Sequence, residues 1–258
     1  MAQYSRRLGE GLRAMKIGVV TVAYNEERFI KACINQFAPY DVSHLVLISR
    51  VPWHGDSYPQ DKTGEYAIEA GANVVEKVWK SEAEQRNYGQ IFFEKMGYDW
   101  VLIVDADEFY APNTITNLMQ FLQISNDEAV TAPNMLVYWK NENYRINALQ
   151  TDNPIIAVRP NLRFSKARQA EGHREGMPAL LHHMSYVRTN DEMQKKISSF
   201  EHAVDFNIKD WYDNVWLQWT PDRRNLHPVN PPQFEKAILH PIPTEIQEYF
   251  NETTTSDS

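Results

Sequence analysis

Asp105 and Asp107, one residue apart, stand where the apolar run Val101-Leu102-Ile103-Val104 gives way to Asp105-Ala106-Asp107-Glu108-Phe109. Two carboxylates at the mouth of a buried strand repel each other unless a proton or a cation lies between them. A divalent ion meets that need. Magnesium or manganese takes oxygen ligands, and its remaining positions suit the oxygens of a diphosphate, whose charge it offsets. Asp105 and Asp107 are therefore expected to bind Mn2+ or Mg2+. A second signal is His182-His183 inside Leu180-Leu181-His182-His183-Met184-Ser185-Tyr186-Val187, since so apolar a strand has little reason to carry two imidazoles. Neighbouring strand residues face opposite ways, so one of the pair is expected at the site and the other in the core.

The elements that must place these groups alternate in the rhythm of parallel βαβ units. Ile17 to Ala23 is a continuous β-branched run, as in a strand covered on both faces. Asn25 is placed to cap a helix carrying Phe29, Ile30, Cys33, Ile34 and Phe37 at helical spacing until Pro39. Strands follow at His44 to Ser49 and Asn73 to Val78, with a helix from Thr63 to Ala70 between them and Gly71 as its stop. Ser81 and Glu84 form a capping box for a helix reaching about Met96. The next strand ends at the acidic cluster. Ligands of open α/β sheets bind beyond the carboxyl ends of the strands, so Ala23-Tyr24-Asn25-Glu26 and Asp105-Ala106-Asp107 share the expected ligand edge. Strands are also expected over Ala129 to Trp139, Asn153 to Arg159 and Ala179 to Val187, extending the sheet in mixed or antiparallel fashion. A capped helix is expected from Asn190 to His202.

Three ordered segments carry a family resemblance over roughly residues 16–110. Ile17-Gly18-Val19-Val20-Thr21-Val22-Ala23-Tyr24-Asn25-Glu26 resembles the opening of family 2 glycosyltransferases of the GT-A fold. Gln85-Arg86-Asn87-Tyr88-Gly89 looks like their Arg-Asn-x-Gly helix, and Val104-Asp105-Ala106-Asp107-Glu108-Phe109 is similar to their DXD metal motif. The resemblance implies a Rossmann-like, doubly wound, mostly parallel central sheet with a mixed or antiparallel acceptor-side extension. It also implies a nucleotide-diphospho-sugar pocket lined by Ala23, Tyr24, Asn25, Glu26, Arg86, Asp105 and Ala106. Tyr24 offers a ring to the base and Arg86 a planar fork to the diphosphate. By the same resemblance a histidine of the second half completes the metal sphere, His183 first and His182 as the fallback. The sequence departs from the pattern after the second strand, where Ser49-Arg50 replaces the usual base-reading Asp; Asp56 is the substitute available in the loop.

Transfer with inversion, which the resemblance implies, needs a carboxylate to take the acceptor's proton. Glu171 and Glu175, in Glu171-Gly172-His173-Arg174-Glu175-Gly176, are the candidates, with Asp152 a third. A solvated charged loop is the simpler account of either glutamate. Trp211, Tyr212, Trp216 and Trp219 would serve as a platform for a sugar ring or as core packing, and Lys195-Lys196 reads as a solvated helix face.

The net charge of -8, with 26 basic against 34 acidic residues, lacks the footprint of a nucleic-acid binder. Cys33 is the sole cysteine, which excludes an intramolecular disulfide. No apolar run approaches the roughly 20 residues of a spanning helix. A cytoplasmic chain is expected, peripheral at a membrane at most through Arg6, Arg7 and Arg13. It reads as a single domain over 1–258, with a nucleotide-sugar half at about 16–110, an acceptor-side half at about 111–245 and a flexible tail at 246–258. A nucleotidyltransferase would use similar carboxylates, but with a glycine-rich basic loop where Ala23 to Arg28 stands. A non-catalytic nucleotide- or sugar-binding relative would have little reason to keep both aspartates. The acceptor, a carbohydrate or other hydroxyl compound, is not legible.

Overall fold

The computed structural model describes residues 14–148, 150, 153–199 and 205–251. The first half runs β1 (Ile17–Ala23), α1 (Ile30–Asn35), β2 (Val42–Ser49), α2 (Thr63–Glu69), β3 (Asn73–Lys77), α3 (Glu82–Lys95) and β4 (Trp100–Ile103). β1 pairs in parallel with β2 on one side and β4 on the other, and β2 with β3. Every residue of β1 is buried. Val19 packs towards Phe29 and Cys33 of the α1 region, while Val20 and Val22 pack towards Phe93 of α3, so the sheet is covered on both faces as its unbroken apolar run requires.

The Arg-Asn-x-Gly segment has a mechanical account. A Cβ on Gly89 would lie 2.5 Å from Val20 Cγ2, so only glycine lets α3 approach β1 this closely. Asn87 then ties the helix to the second half, accepting from Phe164 N–H at 2.7 Å and donating to its carbonyl at 2.9 Å. Ser81 caps α3 through Glu84 N–H at 3.2 Å, but Glu84 returns to Lys80 N–H instead of closing the box.

The second half comprises β5 (Glu108–Phe109), α4 (Pro112–Ile124), β6 (Ala129–Thr131), β7 (Asn134–Trp139), β8 (Asn141–Ile146) and β9 (Ile155–Val158). A small hairpin of β10 (Phe164–Lys166) and β11 (Gln169–Ala170) follows, then β12 (Arg174–Gly176), β13 (Leu180–Tyr186) and α5 (Asn190–Ile197). α6 (Ile208–Trp211) runs into a π-helical turn over Tyr212–Trp216, and β14 (Ala237–Leu239) and α7 (Thr244–Asn251) complete the described chain. The central sheet has the order β12-β6-β9-β4-β1-β2-β3, antiparallel only where β9 pairs with β4 and β6. A second, mixed sheet has the order β14-β8-β7-β13-β5.

Several expectations are corrected. The run Ala129 to Trp139 is two strands in different sheets, parted at Pro133, which has no N–H to donate to a ladder. Asn25 does not cap α1. It adopts φ 54, and its side chain donates to Pro59 O at 3.0 Å and accepts from Asp61 N–H at 3.2 Å, holding the loop after β2 instead. α5 ends at Ile197 within the described residues, and residues 200–202 of the expected helix lie outside them. The stretch expected to be a flexible tail from 246 begins inside α7, where Ile246 and Tyr249 are buried and the Tyr249 hydroxyl donates to Tyr110 O at 3.1 Å. Arg6, Arg7, Arg13 and Asp152 lie outside the described residues. No helix among the described residues is long and apolar enough to cross a membrane.

Candidate functional site

A cleft of about 450 Å3 opens beyond the carboxyl ends of β1, β2 and β4, between the loop after β2 and α5. Ala23, Tyr24, Asn25, Glu26, Arg86, Asp105, Ala106, Asp107 and His183 all line it, so the structure brings these predicted residues together. Its outer wall is aromatic, with Trp53 and Tyr58 beside Tyr24. The Tyr24 hydroxyl accepts from Tyr58 N–H at 2.8 Å and lies 3.3 Å from Tyr58 O, which fixes that wall to the sheet.

The floor is a lattice of opposed charges. Asp105 Oδ1 accepts from Arg86 Nη2 at 2.7 Å, and Oδ2 lies 3.5 Å from Arg168 Nη1. Arg86 is fully buried and also donates Nε to Glu82 at 2.9 Å, so much of its fork is spent on orienting Asp105. Its Nη1 is buried with no partner among the described residues. Asp107 Oδ2 accepts from Lys196 Nζ at 2.6 Å and Arg188 Nη2 at 3.2 Å, and Oδ1 lies 3.3 Å from His183 Nε2. Arg188 also grips both oxygens of Glu26 at 2.9 and 2.7 Å. Burial works to raise the pKa of both aspartates, but the surrounding cations reverse it: Arg86 and Arg168 hold Asp105 low, and Lys196, His183 and Arg188 hold Asp107 well below the usual carboxylate range. His183 shows the converse, since burial lowers its pKa and Asp107 beside it raises it overall.

The acidic turn is braced from below. Glu108 accepts from Asp105 N–H at 3.0 Å and pairs with Arg168, whose Nη2 donates to Ile103 O at 2.7 Å. β13 lies antiparallel against β5, with His183 opposite Glu108 and Met184 N–H on Asp107 O at 2.8 Å. Strand alternation then decides between the histidines. His183 faces Asp107, whereas His182 is buried against Tyr138, with Nδ1 3.0 Å from the hydroxyl, and burial drops its pKa to about 4.

Among the described residues, no group of three or more His, Cys, Asp and Glu side chains converges as a metal cage. The predicted triad is divided, with Asp105 turned to Arg86 and Arg168. Asp107 and His183 do fit an ion, because two cis ligands at about 2.1 Å from a metal stand roughly 3 Å apart. Across the cleft the described lining carboxylates outnumber lysines and arginines seven to five, but around Asp105 and Asp107 themselves the cations Arg86, Arg168, Arg188 and Lys196 predominate, so an ion there would have to displace Lys196 or Arg188 from Asp107.

Three expectations are not met by position. Glu175 lies on β12, three strands from β4 and thus roughly 14 Å away across the sheet. It is exposed, and a hydrogen bond shared with Asp127 raises its pKa. Glu171 is exposed in the preceding loop, and neither glutamate lines the cleft. Asp56 is also absent from the lining; the loop's acid there is Asp61, which accepts from Glu27 N–H at 3.0 Å and Thr63 N–H at 2.9 Å. Lys196 is no solvated residue, being tied to Asp107. Trp211 and Trp216 are core, donating to Leu226 O and Asn190 Oδ1. Nothing in the sequence beyond their charge marks Arg168, Arg188 or Lys196 as site residues.

A family model, glycosyl transferase family 2, matches residues 18–189. No curated protein matches the chain. Similar solved structures include a Desulfovibrio desulfuricans G20 protein described as a nucleotide-diphospho-sugar transferase, 11% identical over 74% of this chain and 91% of that one, with a TM-score of 0.42. TarS of S. aureus is 16% identical over 79% of this chain and 43% of its own, with a TM-score of 0.44, so this chain spans less than half of it. The 4-diphosphocytidyl-2C-methyl-D-erythritol synthase of Anaerococcus prevotii DSM 20548 is 9% identical over 69% of this chain and 93% of that one, with a TM-score of 0.42. The match of the family model over two thirds of the chain, which takes in every cleft segment but α5 and Ser199 after it, shows that this protein belongs to glycosyl transferase family 2.

Proposed function

We propose that this protein transfers a sugar from a nucleotide-diphospho-sugar to an acceptor hydroxyl, with inversion at the anomeric carbon. The observation that carries the reading is the cleft itself, which sets an aromatic wall at the end of β1 beside the charged floor formed by Asp105, Asp107, Arg188 and Lys196. The nucleoside would lie against Tyr24, Trp53 and Tyr58, and the diphosphate over the floor. In the transfer, the acceptor oxygen bonds to the anomeric carbon as the bond from that carbon to the diphosphate oxygen breaks. The electron pair leaves on the nucleoside diphosphate, and the acceptor's proton passes to a base in the cleft. Inversion rests on membership of the family.

Asp107 and His183 would hold Mn2+ or Mg2+, with Asp105 beside them, and the ion would supply charge neutralisation for the departing diphosphate. Arg86 and Arg168 keep Asp105 ionised and oriented, while Arg188 holds Glu26 and Asp107 in one rigid array. A thermal-shift panel of UDP, GDP, CDP, ADP and dTDP with their sugars, each with and without Mn2+, tests the reading, because a ligand of the folded state raises its melting temperature. Stabilisation by one base family is expected. A folded protein that responds to none of them would sink the proposal.

A further inference from the structure

A second cavity of about 390 Å3 adjoins the cleft, and His183 and Ser185 line both. Its character is the opposite of the first. None of its described lining residues is Lys, Arg, Asp or Glu. Tyr186 supplies half-buried aromatic surface, backed by the buried Phe234 with ring centroids 5.6 Å apart, and Gln150, Asn230 and Gln233 supply carboxamides. The amides are organised: Gln150 is buried, and its Oε1 accepts from Gln233 Nε2 at 3.0 Å.

We infer that this chamber is the acceptor subsite and that the acceptor is an uncharged saccharide, whose hydroxyl reaches the donor past His183 and Ser185. The inference rests on the donor assignment of the first cleft and adds the substrate class. A phosphorylated or carboxylated acceptor would meet no lysine or arginine there among the described residues, since the two imidazoles are already engaged, His183 with Asp107 and His227 Nδ1 with the Val229 and Asn230 N–H groups, and an ammonium would meet no carboxylate, each at a desolvation cost. An aliphatic alcohol would leave the carboxamides facing hydrocarbon. A sugar ring satisfies both halves of the wall, because carboxamides donate to and accept from hydroxyls, and the Tyr186 ring covers the apolar face of a pyranose. The volume lies within the usual range of small-molecule pockets.

The test is saturation-transfer NMR on the full chain, held saturated with whichever nucleoside diphosphate stabilises it. The probes are methyl β-D-glucopyranoside, methyl β-D-galactopyranoside, maltose, glucose 6-phosphate, glucosamine and n-octanol. Transfer to at least one neutral saccharide is expected, weakened about tenfold in Gln233→Leu and in Asn230→Leu, while nucleotide binding is unchanged in both variants. Signals confined to glucose 6-phosphate, glucosamine or octanol would overturn the inference, as would no neutral saccharide responding or no loss in either variant. Failure of the nucleotide to bind at the outset is a different result, which counts against the donor assignment.

Discussion

Replacing Asp107 with Asn keeps its shape and removes its charge, and the consequence can be worked from the floor of the cleft. The exchange should cost stability, since the Asp107 side chain is only 6% exposed and is held by Lys196, Arg188 and His183. Arg188 keeps Glu26 after the exchange, and Lys196, with 23% of its side chain exposed, can turn towards water. The cost should therefore fall at the low end for a broken buried pair, about 3 kcal/mol. For a domain of this size that corresponds to a drop of roughly 6–12 °C in Tm. Lys196→Met removes one charge-assisted bond and should cost about 1.5 kcal/mol. The double variant should lose less than the sum, with a coupling of about 1 kcal/mol or more, because neither charge is left facing an absent partner. Circular-dichroism melts of the four proteins complete the cycle. Additive losses would refute the pairing. A rise in Tm for Asp107→Asn would show that repulsion among the surplus carboxylates outweighs their pairing with the cations.

Acid should destabilise the fold well before the carboxylates titrate. Burial lowers the pKa of His44 to about 3 and of His182 to about 4, so as pH falls below about 6.5 the unfolded chain gains protons that the native chain refuses. Each residue then removes about 2 kcal/mol by pH 5, two groups against one opposing histidine among the described residues, His183, whose pKa Asp107 raises, and a Tm unchanged between pH 7 and pH 5 would contradict this. Gly89→Ala should cost about 1–3 kcal/mol in urea unfolding, because its Cβ meets the fully buried Val20; a neutral result would mean that α3 can lift from the sheet. Lys196→Met should tighten Mn2+ binding to the nucleotide-free protein severalfold in calorimetry, since the ammonium competes with the ion for Asp107. Weaker or equal binding would deny that competition.

The parallel core was legible because its signals are local. Apolar runs mark β1, β2 and β4, Gly71 and Gly97 take positive φ where the helices before them stop, and strand alternation separates His183 from His182. α4 had a readable signature too, with Pro112 in its first turn and Ile115, Leu118 and Leu122 on one buried face. What could not be read is which distant charges meet. Lys196 and Arg188 lie 89 and 81 residues from Asp107, and only the docking of β13 on β5 brings α5, with Lys196, and the link before it, with Arg188, over the floor. Asp61 rather than Asp56 enters the cleft because the Asn25 side chain, at φ 54, pins the loop at Pro59 and Asp61. Glu175, offered as a candidate base for its place in a glycine-containing acidic segment, lies away from the cleft for a related reason: residues 174–176 pair as a strand at the edge of the sheet.

The central claim is that a nucleotide-diphospho-sugar occupies the cleft at the ends of β1 and β4. Hydrogen–deuterium exchange, with and without the stabilising nucleoside diphosphate and Mn2+, tests it directly. Slower exchange is predicted in three segments, residues 23–28, 52–61 and 185–199, with little change in β8 and β14. Protection confined to other segments, or none under saturating nucleotide, would contradict the account.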